Sequence, residues 1–249
     1  MDTMDTMDTM NTLNTMRRLL LLAALAATVA GCATKSGPIG PKPVVKSIEI
    51  IPATLPTYYS LRNLSAVQFL VPIAALGYSM NSKEKAKQLT ERLPAATFRI
   101  DDQLTNTVAE LLRQKGYAVS VLSDAKRRPD SPDWFDYEQV PHSADALIHV
   151  YFSDVGVESP RSTTDYIPRM NVSVMSYTKQ NKGYPYETTI YYGVDAKAGT
   201  EYSVVADPKH LYPDFDFMLN NLETVRENFK GSVKLVAERI AAQLHAALQ

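Results

Sequence analysis

The sequence predicts an α+β fold: a mixed, largely antiparallel sheet packed by two or three helices, including a long C-terminal amphipathic helix. Three observations predict it. Residues 146–157, 170–178 and 184–192 are β-rich runs, the last two joined by a short polar link containing Gly183, which signals a hairpin within an antiparallel meander. Leu104, Val108, Leu111 and Leu112 form an i, i+4, i+7, i+8 stripe that ends at Gly116 and passes directly into the strand-like YAVSVL of 117–122. Finally, Leu222, Val225, Phe229, Val233, Val236, Ile240 and Leu244 recur at three- and four-residue steps, with Lys230, Lys234, Glu238 and Arg239 off that stripe. The spacing predicts about seven helical turns, bent at Gly231.

Along the chain, an acidic three-residue repeat, MDTMDTMDTMNTLNT, precedes Met16-Arg17-Arg18 and the apolar run 19–29. That run is too short to cross a bilayer, which takes about 20 apolar residues. A basic start, an apolar stretch and the small exit Ala30-Gly31 are the parts of a secretory signal over residues 1–31, with Met16 as its more natural start. Residues 33–46, ATKSGPIGPKPVVK, carry two glycines and three prolines and read as a semi-stiff tether. A first strand is expected at 44–51, ended by Pro52. Residues 65–80 are the most apolar stretch of the mature chain. Pro72 divides it into a strand at 66–71 and a following helix, and its length and interruptions favour a buried element over a membrane- or partner-facing one. Ser82 reads as the cap of a separate helix with Ala86, Leu89 and Leu93 on one face, ending near Pro94. Asp101 and Asp102 suit the start of the 104–112 helix, and Gly116 its end. Residues 123–143 are polar, carry three prolines and the sole tryptophan, Trp134, and read as a loop. In 146–157, Ala146, Ile148, Val150 and Phe152 share one face, and Leu147, His149 and Tyr151 the other.

Val29-Ala30-Gly31-Cys32 resembles the lipobox of bacterial lipoproteins, with Cys32 the only cysteine of 249 residues. The resemblance implies cleavage between Gly31 and Cys32, acylation of Cys32, and, because Ala33 follows it, a place on the periplasmic face of the outer membrane. The domain plan is then a signal peptide (1–31), a lipidated tether (32–45) and a single periplasmic α+β domain (46–249). More than one acyl chain is what makes such an anchor stable. The order of elements looks like small α+β domains of envelope lipoproteins and of the TolB amino-terminal type. Residues 206–219, ADPKHLYPDFDFML, and 104–122 look like stretches of uncharacterised proteobacterial lipoproteins; they imply fold and location, and no activity.

The mature part keeps 24 basic and 24 acidic side chains, because residues 1–31 hold two arginines and three aspartates. Neutrality excludes an electrostatic footprint for nucleic acid. The four histidines, His142, His149, His210 and His245, share no metal-ligand spacing, and no nucleophile elbow or phosphate loop is present. No catalytic residue, metal or cofactor is expected; His149, in a strand, reads as packed or half-exposed. Asp214 and Asp216 could hold a cation or act as an acid pair, but Pro213 and the following helix favour turn and cap duty. Tyr184, Tyr186, Tyr191 and Tyr192 are either a candidate interaction face or ordinary half-buried strand residues. The expected function is a lipid-anchored, non-catalytic envelope module, joined to the membrane by its lipid and to an envelope protein or peptidoglycan by its domain. A carrier of an apolar ligand, walled by 66–76, is the alternative, and a hydrolase the third.

Overall fold

In the computed structural model, residues 44–64, 72–122, 125–127, 131, 133–180 and 183–249 are described. Gly31, Cys32, most of the expected tether and the strand expected at 66–71 lie outside them.

Strand β1 (Ser47–Ile51) runs parallel to both of its neighbours, β3 (Ala118–Val121) and β4 (Ala146–Ser159). A short β2 (Ser60–Asn63) also runs parallel to β4, but at its far end, from Gly156 to Ser159. β1 and β2 therefore lie end to end along one edge of β4. Its other edge pairs antiparallel with β5 (Ile167–Thr178), which pairs antiparallel with β6 (Gly183–Gly193). A two-residue β7 (Ser203–Val204) covers β6 only at Tyr191 and Tyr192. Among the described residues this is a seven-stranded mixed sheet, and its middle is the expected antiparallel meander.

Four helices accompany it among the described residues: α1 (Pro72–Arg92), α2 (Ile100–Gln114), α3 (Phe215–Asn220) and α4 (Leu222–Leu248). The α2 stripe, Leu104, Val108 and Leu112, and the α4 stripe, Val225 to Leu244, are buried against the sheet. They meet Ile48 and Ile50 of β1, Ile148, Val150 and Phe152 of β4, Val172 and Val174 of β5, and Ile190 of β6. Each such side chain contributes about 1.5–3 kcal/mol by leaving water. Phe98 meets Phe229 edge to face at 6.2 Å, joining the lead-in of α2 to α4. At the exposed edge of the sheet, the Arg113 guanidinium donates to Val119 O at 3.2 and 2.9 Å, closing a carbonyl that another strand could use.

Two expectations change. Ser82 lies inside α1, which begins at Pro72. Proline is preorganised for the first helical position, and the helix expected after Pro72 runs on through Ser82 to Arg92, so the two expected helices are one. β2 was not expected from SLRN, because a four-residue strand is too short for its period to show; its pairing with β4 creates it.

A bulge separates Phe152 from Asp154 in β4. Before it even-numbered residues face the helices; after it Val155 and Val157 do. The extra residue, Ser153, thus turns Asp154 and Glu158 away from the apolar core.

Gly116 and Gly156 separate two uses of glycine. Gly116 follows α2 at φ 95° with open space around it, whereas a Cβ on Gly156 would lie 1.8 Å from Ser60 O. Gly116→Ala should lower stability by about 1 kcal/mol through backbone strain alone. Gly156→Ala should cost more, because β2 must leave β4, and denaturant unfolding of the two variants should rank them in that order.

Candidate binding face

The sheet face opposite the helices carries the polar and aromatic side chains of β4, β5 and β6. At one end the loop 131–143 closes over it. Phe135, Tyr137 and Val140 are buried there against Ile51, Leu147 and Tyr177, a second apolar cluster distinct from the helix-side core. Trp134, which marked the loop in the sequence, is 54% exposed, and its buried neighbours do the packing.

His149 is fully buried beneath this flap, with its ring 4.9 Å from Phe135 and 4.8 Å from Tyr151. Its Nδ1 lies 2.8 Å from the Tyr137 hydroxyl, and its Nε2 has no hydrogen-bond partner among the described residues. The Tyr137 hydroxyl also donates to Met175 Sδ at 3.3 Å. With its proton so used, Tyr137 accepts from Nδ1–H, and the unpartnered Nε2 is a lone pair rather than a buried N–H. Burial, followed by the charge of Arg127, pushes the His149 pKa down to about 3. His149 is therefore packed and neutral, the first of the two placements expected for it. The pairing recurs: the Tyr192 hydroxyl lies 3.0 Å from His210 Nδ1, and the Tyr117 hydroxyl 3.1 Å from His245 Nδ1. His142 Nδ1 donates to Val140 O at 2.8 Å.

At the opposite end of the face Arg169 is buried among carboxylates. It lies 3.1 Å from Asp154, 3.4 Å from Glu158 and 2.5 Å from Asp195. Asn171 donates to Asp195 at 2.6 Å, and Ser60 to Asp154 at 2.5 Å. Burial raises the Glu158 carboxyl above its ordinary range, and the Arg169 charge opposes that rise. This cluster ties β2, β4, β5 and the turn after β6 together. It was missed in the sequence because Arg169 is 26 residues from Asp195, 15 from Asp154 and 11 from Glu158, spacings that no local period links.

Between flap and ion cluster lies a hollow of about 340 Å³, lined by Tyr151, Ser173, Met175, Glu187, Thr188 and Thr189. Ser173 Oγ and Thr189 Oγ1 are 3.0 Å apart across the β5–β6 pair. Among the described residues Glu187 forms no ion pair.

The four tyrosines proposed as one interaction face do not share one. Successive strand residues point to opposite faces. Tyr192 is fully buried on the helix side, where it meets His210. Tyr186 leans on the same core and its hydroxyl donates to Gln243 of α4. Tyr191 points the other way and is 39% exposed. Tyr184, 50% exposed, sits at the hairpin end, with its ring 5.7 Å from Tyr137 and 5.9 Å from Tyr177. Asp214 and Asp216 do not converge on a cation. Asp214 Oδ1 accepts from Phe217 N at 2.7 Å as the cap of α3, and Asp216 is exposed in the first turn. Among the described residues no three His, Cys, Asp or Glu side chains are grouped to hold a metal ion.

An α+β domain with one helix-covered and one partly covered sheet face is the class these observations define. No protein-family model and no curated protein matches the chain. Solved structures similar to it include bacterial lipoproteins. A Xanthomonas campestris protein of the DUF330 family is 7% identical, with a TM-score of 0.40 over 85% of this chain and 91% of that one. A minor lipoprotein of Acinetobacter baumannii is 11% identical, TM-score 0.33, over 58% and 84%. A lipoprotein of Neisseria meningitidis is 12% identical, TM-score 0.29, over 73% and 98%.

Two measurements test this geometry. The unfolded chain protonates His149 near the usual 6.5, whereas the folded chain resists until about 3. The His149 contribution is thus intact above pH 6.5 and lost as pH falls toward 3, at about 1.4 kcal/mol per pH unit. Denaturation from pH 7 to 4 should show this slope, and His149→Phe should remove it. Arg169→Met leaves Asp154, Glu158 and Asp195 facing one another and should cost about 3 kcal/mol in denaturant unfolding.

Proposed function

We propose that this chain is a lipid-anchored, non-catalytic envelope protein whose flap-side sheet face docks another envelope component. The anchor rests on Val29-Ala30-Gly31-Cys32 behind an Arg-Arg and leucine-rich signal. The docking role is carried by one observation: the sheet face changes from an apolar, flap-covered end to an open floor of hydroxyls, tyrosine and carboxylate.

The non-catalytic reading rests on how the acid–base groups are used. His149, His210 and His245 are each held by a tyrosine hydroxyl, and His149 is neutral and enclosed. General-base chemistry requires a group within reach of substrate with a pKa near the working pH, and His149 meets neither condition. The outer-membrane location rests on the lipobox resemblance, which implies it where Ala33 follows Cys32.

Cys32→Ser should abolish incorporation of labelled palmitate and release the domain from membranes; retained labelling would end the lipoprotein reading. A photo-crosslinking residue at Thr189 should capture an envelope component in living cells, while one at Lys234, on the opposite side, should not.

A further inference from the structure

We infer that the hollow on β4–β6 is a saccharide site, which holds a pyranose chain of the cell-wall glycan against Tyr151 and Tyr191. The inference rests on the envelope reading above and specifies the chemistry of its docking face.

The lining selects among ligand classes. Ser173 and Thr189 each present a hydroxyl, which donates and accepts, as sugar hydroxyls do; Thr188, opposite Val174, turns its side chain to the helix side and borders the hollow by its backbone. The Ser173–Thr189 bond uses one of those protons, so the pair keeps one donor and spare acceptor positions for a ligand. Glu187, with no ion pair among the described residues, accepts from two adjacent hydroxyls, and such charge-assisted bonds are about twice as strong as neutral ones. An apolar ligand would strip water from two hydroxyls and a carboxylate without replacing their bonds. A phosphate would meet Glu187 and no lining cation.

The shape selects further. A volume of about 340 Å³ falls at the lower end of small-ligand sites. The hollow lies on the floor formed by β4, β5 and β6 and admits an extended chain. Register places Tyr151 opposite Ser173, Ser173 opposite Thr189, and Tyr191 opposite Asn171 in the next row of the same face. Two strand spacings across the sheet and one two-residue row along it separate the tyrosine backbones, about 12 Å. Tyr151 on β4 and Tyr191 on β6 thus flank the hydroxyl floor, each with an apolar ring and a polar tip. A pyranose presents an apolar C–H face and an equatorial rim of hydroxyls, and this surface offers a partner for each.

The test uses the full mature, lipidated chain in detergent, with purified insoluble peptidoglycan as probe and soluble N-acetylglucosamine oligomers as competitor. Co-sedimentation with peptidoglycan, displaced by the oligomers, is expected. Glu187→Gln, an exposed position that leaves the core untouched, should weaken binding about tenfold, the loss of one charge-assisted hydrogen bond. Tyr191→Ala should weaken it as well, and Lys234→Ala on the helix side should leave it unchanged. Failure of the wild type to sediment, or unchanged binding by both face variants, overturns the site. So does binding that about 0.5 M salt abolishes and polylysine displaces, because that is recognition of a cationic peptide by Glu187 alone. Crosslinking at Thr189 to a protein, without glycan binding, would refute the saccharide and leave the docking face standing. Loss of lipidation would refute the anchor without touching the glycan result.

Discussion

The β4 strand and its bulge set the terms for everything else. Its residues pair with β5 from Ala146 to Glu158 on one side, and with β1 and then β2 on the other. A strand paired on both edges and covered on one face has little freedom of register, because a one-residue slip would exchange core and exposed sets. At Ser153 the chain makes that exchange once. The exchange sends Val155 and Val157 to the helices and Asp154 and Glu158 to the other face, where Arg169 meets them. Without the bulge, two carboxylates would enter a core lined by Phe229 and Val233. Desolvating them there would cost several kcal/mol each.

The same register produces the polar face. On one side of the bulge lie Leu147, His149 and Tyr151; on the other, Asp154 and Glu158. The loop 131–143 covers the first end with Phe135 and Tyr137, and Arg169 neutralises part of the second. What lies between needs neither cover nor neutralisation, since Ser173 and Thr189 satisfy one another and can still meet water. A half-open hollow is the consequence of those two different ways of closing the ends of one sheet face.

The abundance of tyrosine acquires a structural explanation here. Tyr117, Tyr137 and Tyr192 each pair with a histidine, and Tyr186 with Gln243, so much of the tyrosine content serves to satisfy buried polar groups. Tyr151 and Tyr191 are left for the polar face, together with Tyr184 at its margin. Grouping the four tyrosines of β6 by nearness in sequence mixed these uses, because alternation in a strand separates neighbours by the full thickness of the sheet.

Local pattern alone determined the fold class, the antiparallel meander, the α2–Gly116–β3 passage, the long α4 stripe and the cap at Asp214. Each of these depends on residues within a few positions of one another, where period, capping and positive φ leave a direct trace. The proposed N-terminal anchor likewise rests on a short local motif around Cys32. Tertiary structure decided what spacing cannot encode. It made a strand of Ser60–Asn63 by offering it the far edge of β4. It buried His149 under a loop that reads as merely polar, and it gathered Arg169, Asp154, Glu158 and Asp195 from two strands and a turn. It also divided the tyrosines between core and surface. The physical reason is common to all four: each depends on pairing register and on which face of the sheet is covered, and both are properties of chain segments brought together only by folding.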